Sequence, residues 1–135
     1  MKPTRKLSWF LLLVCAGLLS ATPVFSAPAH AGTFSNVNKK TKGDFSIETR
    51  ADGAYLVFSK AFKTKSAPDL KIYLSTLPAV DVNKKNATRD VLLAELRSRK
   101  GAQEYKIPAD VDLNSIKSVV IYCKEYSVFW AAGDL

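Results

Sequence analysis

From Gly32 onward, turn-forming residues cut the chain into short segments in which β-branched and aromatic residues are enriched and polar residues often alternate with apolar ones, a pattern that strands satisfy and helices do not. Asp44 to Arg50 alternates cleanly, with Phe45, Ile47 and Thr49 on one side and Asp44, Ser46, Glu48 and Arg50 on the other. Asp52-Gly53 supplies a dipeptide suited to a tight hairpin, and Tyr55 to Ser59 reads as the returning strand. Pro68-Asp69 breaks the chain before Leu70 to Thr76, where Leu70, Ile72 and Leu74 share one face and Lys71, Tyr73 and Ser75 the other.

Residues 77–90 carry Pro78, Asn83, Lys84, Lys85 and Asn86 and read as an exposed loop. Val91 to Leu96 fits either a strand or a helical turn, because Leu92 and Leu96 also satisfy an i, i+4 spacing. Arg97 to Gly101 reads as a basic turn and Gln103 to Ile107 as another strand. Ser118 to Cys123 is apolar on both faces and belongs in the middle of a sheet. Tyr126 to Ala132 follows after only Lys124-Glu125, which leaves open whether those two residues make a hairpin or a bulge in one long bent strand. The expectation is a single-domain, all-β, antiparallel β-sandwich, with a small barrel as the alternative.

The first 31 residues have a different character. Lys2, Arg5 and Lys6 precede an apolar run from Leu7 to Leu19, too short to span a bilayer comfortably, and small residues follow, as in an export signal. Val24-Phe25-Ser26 and Ala29-His30-Ala31 both suit a signal peptidase. The second is preferred because the domain-like pattern starts at Gly32. Cys15 lies within the run after Leu13-Val14, unlike a lipidated cysteine. The best later apolar stretch, Ser118 to Ala132, is short and interrupted by Lys124 and Glu125, so no membrane span is expected after cleavage. The expected localisation is the periplasm or the extracellular space.

Cleavage after Ala31 removes Cys15 and the sole histidine, His30. It excludes Ser-His-Asp and Cys-His catalysis, His-ligated zinc, histidine acid/base work and an internal disulfide, unless an earlier cut leaves His30 on a flexible tail. No catalytic residues are expected and no metal ligands beyond the thiol considered next.

Cys123 is the one chemically distinctive residue left. It follows Val119 and Ile121 at strand spacing and should face their apolar side, where an unpaired cysteine ordinarily acts as a small hydrophobe. Its compartment argues for more, since an exported free thiol tends to be avoided, paired with another chain or used. Lys124 points to the opposite face of a regular strand. A redox thiol, an axial ligand to haem iron and a disulfide-linked dimer through Cys123 all stay open.

The stretch from Gly32 to Leu135 resembles the DM-thirteen domain, an electron-transfer domain of exported proteins. The resemblance rests on Gly32-Thr33-Phe34, Gly43, Phe62, Pro68-Asp69-Leu70, Tyr73-Leu74-Ser75, Gly101, Gln103, Tyr105 and Ile107-Pro108. Its most specific part is the ending, Ser118 to Lys124 with Tyr126-Ser127-Val128 and Ala132 to Leu135. The resemblance implies that Cys123 is the family's single cysteine, acting as a bare thiol or binding a prosthetic group such as haem. Tyr122 stands where the family often has Trp, and no haem or DOMON domain is attached, so an electron donor or acceptor is expected in trans.

Tyr122 and Tyr126 accompany Cys123 as candidate redox or cofactor-binding residues, and Asp69 and Tyr105 as candidate site-lining ones. Asp69 has a plain structural alternative, satisfying backbone donors in its turn. Asp110 and Asp112 read as solvated. The aromatics Tyr105, Tyr122, Tyr126, Phe129 and Trp130 suit a core as well as a cofactor slot. The chain carries 20 Lys+Arg against 12 Asp+Glu, but the basic groups are spread between acids, unlike a nucleic-acid stripe. An anionic surface polymer or an acidic redox partner fits them better. Asn86-Ala87-Thr88 matches a glycosylation sequon. Two functions follow: an exported, non-enzymatic redox module, or a structural or binding module of the cell envelope with Cys123 as core filler.

Overall fold

The computed structural model describes residues 17, 30–36 and 40–135. The expected export signal, residues 1–31, lies outside these residues apart from Gly17, His30 and Ala31, and Cys15 lies outside them. Eleven strands are described: β1 (His30–Thr33), β2 (Ser35–Asn36), β3 (Thr41–Lys42), β4 (Asp44–Arg50), β5 (Gly53–Phe58), β6 (Lys63–Thr64), β7 (Leu70–Ser75), β8 (Val91–Glu95), β9 (Gln103–Ile107), β10 (Ser118–Cys123) and β11 (Val128–Asp134). They form a four-stranded sheet in the order β1-β4-β5-β9, a five-stranded sheet β2-β11-β10-β7-β8 and a small β3-β6 pair. All pairings are antiparallel and neither large sheet closes into a barrel. Among the described residues no helix is long and apolar enough to cross a membrane.

The alternation read from the sequence decides which face each sheet buries. Phe45, Ile47, Leu56, Phe58, Tyr105 and Ile107 of the first sheet meet Leu70, Ile72, Leu74, Val119, Ile121 and Cys123 of the second in one core. Thr49 departs from the expected pattern: it is exposed near the hairpin end of β4, where it pairs with Ala54. Phe34, where the chain crosses from β1 to β2, is buried with its ring 4.6 Å from Phe45 and 5.2 Å from Phe58.

The second sheet is buried on its outer face too. Tyr73, Val120, Tyr122, Phe129 and Ala132 form a separate cluster there with Val82 and Ala87. Residues 77–90 are thus a cover rather than a plain exposed loop, with a 3-10 turn at Ala79–Asp81. The run Asn83-Lys84-Lys85-Asn86 lies between its two inward anchors, Val82 and Ala87, so they are easily overlooked. Val91–Glu95 resolves as a strand, paired with β7 and bulged between the partners of Ile72 and Tyr73.

Two turns differ from expectation in detail. Arg50 pairs with Gly53, so the two-residue hairpin loop is Ala51-Asp52, and Gly53 uses its φ of +137° as the first residue of β5. Between β10 and β11 the chain makes a true hairpin with Lys124–Ser127 as its turn, Ser127 taking a φ of +50°. A bulge is present as well, farther along. Ile121 pairs with Ala131 but Tyr122 with Phe129, so Trp130 is the extra residue. Trp130 and Ala131 consequently both belong to the core between the sheets, whereas simple alternation would turn one of them away.

His30 belongs to β1, where it pairs with Ile47, and is not part of a loose tail. A cut after Ser26 keeps this strand whole, whereas a cut after Ala31 removes half of it. The crossing of β1 and β11 is close: a Cβ on Gly32 would lie 1.7 Å from the carbonyl oxygen of Asp134, and one on Gly133 would lie 2.4 Å from that of Thr33.

Candidate functional site

Cys123 ends the central strand β10, held between Leu70 of β7 and Val128 of β11. Its relative exposure is 0%, and it shares the apolar core with Val119, Ile121, Trp130 and Tyr105. The inward orientation expected from strand spacing is present. Among the described residues it is the free cysteine, and none of their His, Cys, Asp and Glu side chains group into a metal site.

Of the other candidate residues, Tyr122 and Tyr126 lie away from the sulfur. Tyr122 faces the outer cluster, its ring edge-on to Tyr73 at 6.3 Å. Burial raises the pKa of Tyr73. Tyr126 sits in the hairpin turn, 65% exposed. Tyr105 is buried against Phe58, and its hydroxyl accepts from Arg97 N–H at 3.1 Å and donates to Gln103 Oε1. Burial raises the Tyr105 pKa above the ordinary tyrosine value, although the Arg97 contact opposes it.

Asp69 lies nearest to the Cys123 end of β10. Its carbonyl accepts the N–H of Lys124 at 2.9 Å, and its carboxylate pairs with Lys71 at 2.8 Å. That hydrogen-bonded pair raises the Lys71 pKa. The Asp69 backbone therefore fastens the start of β7 to the end of β10, while its carboxylate meets the Lys71 ammonium rather than backbone donors of its turn.

Haem binding through Cys123 can be tested on this geometry. An axial thiolate needs an open face and room for a flat macrocycle, in a pocket of several hundred Å³. Cys123 has no exposed surface, and among the described residues it lines none of the surface cavities of about 410, 590 and 480 Å³. The residues around it do not fit a haem. A disulfide between two folded copies would need the same sulfur uncovered.

A feature absent from the candidate residues lies at the same end of the sandwich. In the β3-β6 pair Thr41 stands across from Thr64 and Lys42 across from Lys63. Both threonines are buried and their hydroxyls share a hydrogen bond of 2.7 Å, while Trp130 Nε1 donates to Thr64 Oγ1 at 2.8 Å. Strand alternation turns the flanking lysines outward. Lys40, Lys42, Lys63 and Lys65 line the 410 Å³ cavity, and Lys42, Lys60, Lys63 and Lys100 the adjoining 480 Å³ one. Pairing thus gathers basic groups that look scattered along the chain. The signal was the repeated Lys-Thr-Lys triplet, at 40–42 and 63–65.

An antiparallel two-sheet sandwich with one thiol sealed between its sheets is the class of small β domain that these residues define. The family model described as electron transfer DM13 matches residues 33–135, and the chain belongs to that family. No curated protein and no solved structure matches it.

Proposed function

We propose that the chain is an exported, non-enzymatic electron-transfer module in which Cys123 works as a thiol toward a redox partner supplied in trans. The observation that carries this is the position of Cys123: it is the last residue of β10, directly before the exposed turn Lys124–Ser127. Fraying of that hairpin end uncovers the sulfur without unfolding the sandwich. The chemistry is thiol–disulfide exchange. The thiol gives its proton to water, and the thiolate attacks one sulfur of a partner disulfide. A mixed S–S bond forms, the old one breaks, and the partner's other sulfur leaves as a thiolate.

The test is adduct formation with glutathione disulfide, followed by mass spectrometry across a urea series. The proposal expects slow labelling in native buffer that accelerates well below the global unfolding transition. Labelling that merely tracks global unfolding overturns it.

The 0% exposure of Cys123 favours a second reading, a structural or binding module in which the sulfur fills space. In that case Cys123→Ala keeps both fold and biological role. Under the first reading the role is lost while the fold survives.

A further inference from the structure

We infer that the lysine face built on the β3-β6 pair is a docking surface for the acidic face of a partner protein. Lys40, Lys42, Lys60, Lys63, Lys65 and Lys100 are all exposed, and among the described residues none of them makes an ion pair. All twelve Asp and Glu side chains of the sequence lie within the described residues, and none lines either lysine cavity. Asp44, the closest carboxylate in sequence, accepts a hydrogen bond from Thr33 at 2.7 Å.

The arrangement works against the fold. Lys42 stands directly across from Lys63, and Lys63 bridges to Lys100 on its other side, so like charges face one another twice in succession. Directly opposed like charges destabilise a sheet. An acidic surface laid over the face relieves that repulsion. The face is also anchored rather than loose, since Thr64 Oγ1 takes the indole N–H of Trp130 and Thr64 N–H donates to Arg99 O at 2.8 Å.

Position favours a protein over an anionic polymer or a lipid surface. β6 leads through residues 65–69 into β7, whose first residue, Leu70, pairs with Cys123. The basic turn containing Arg99 and Lys100 follows β8, and Leu96 N–H donates to Leu70 O at 2.8 Å. The lysine face and the hairpin end that covers the thiol therefore share one end of the sandwich. A protein held on the lysines sits beside the sulfur, and this choice of occupant rests on the thiol reading above. Electrostatic docking of this kind suits small, transient interfaces between redox proteins.

The experiment measures binding alone, by titration calorimetry of the purified protein with oxidised thioredoxin as an acidic probe and cytochrome c as a basic control. Two double variants carry the same change in charge: Lys42→Glu with Lys63→Glu on the face, and Lys84→Glu with Lys85→Glu on the cover segment. The inference expects thioredoxin binding that fades between about 20 and 300 mM salt. The face variant should weaken it by about tenfold or more and the cover variant by less than about threefold. Lys42→Gln with Lys63→Gln, checked by circular dichroism, repeats the test with a milder change. Equal losses in the two Glu variants reduce the effect to net charge and overturn the inference. Face-dependent binding of polyphosphate or of phosphatidylglycerol vesicles without thioredoxin binding overturns it in favour of a polymer or a membrane. Cys123→Ala should bind thioredoxin as the parent does, so failure of docking and failure of the thiol chemistry are read separately.

Discussion

The indole Nε1 of Trp130 donates a 2.8 Å hydrogen bond to Thr64 Oγ1, tying the bulged last strand to a two-residue strand sixty-six positions earlier. The bulge turns the ring into the core, and the threonine hydroxyl meets its polar edge. Thr64→Val removes this bond and the one shared with Thr41. The expected cost is about 1–3 kcal/mol, read from urea unfolding. A change in Trp130 emission should accompany it.

Cys123→Ser places a hydroxyl where an apolar core surrounds the sulfur, and the expected loss is about 1–3 kcal/mol. Cys123→Ala leaves a small void and should cost no more than the serine variant. Thermal unfolding of the two variants checks the order. A serine variant as stable as the parent would mean that the site admits water.

Gly133→Ala forces a Cβ to within 2.4 Å of the Thr33 carbonyl oxygen and 2.7 Å of the Phe45 ring. Backbone cannot give way as a flexible side-chain tip can. The expected penalty is at the upper end of the overpacking range, about 3 kcal/mol, and a melting curve close to that of the parent would refute the tight crossing of β1 and β11.

Asp90 gives the fold a definite pH dependence. Burial disfavours its charge, but hydrogen bonds from Thr76 N–H at 2.8 Å, Thr76 Oγ1 at 3.0 Å and Arg89 outweigh that, and its pKa falls below the ordinary 3.8. A carboxylate with a depressed folded pKa contributes stability that is complete above the unfolded value. That contribution is lost as the pH drops from there through the lower folded value. Asp90→Asn should be less stable than the parent at pH 7, and the gap should narrow in acid. A gap that stays constant down to pH 2 would exclude this role.

Lys42→Gln with Lys63→Gln removes both like-charge oppositions, Lys42 with Lys63 and Lys63 with Lys100, and should raise stability by about 0.2–1 kcal/mol in low salt. The gain should shrink in high salt. Unfolding curves at two ionic strengths measure it.

Strands with strict alternation, such as Phe45-Ser46-Ile47 and Gln103 to Ile107, were legible because period 2 is a local property. So was the inward aim of Cys123 from Val119 and Ile121. The accessibility of its sulfur was not, since that depends on the opposite sheet. The bulge at Trp130 exists only relative to the register of β10, and no pattern within β11 announces it. The lysine face escaped notice because Lys40, Lys42, Lys63 and Lys100 become neighbours through pairing between distant segments. Tyr122 and Cys123, adjacent in sequence, part company for the reason that makes strands legible at all: successive side chains take opposite faces.

The meeting of β1 and β2 with β11 has a consequence for biosynthesis. Gly32 lies against Asp134, and Ser35 pairs with Ala132, so the earliest described segment finds its seat only after β11 has been made. A chain emerging from the ribosome cannot complete this sandwich in order. It stays open until β11 has left the ribosome.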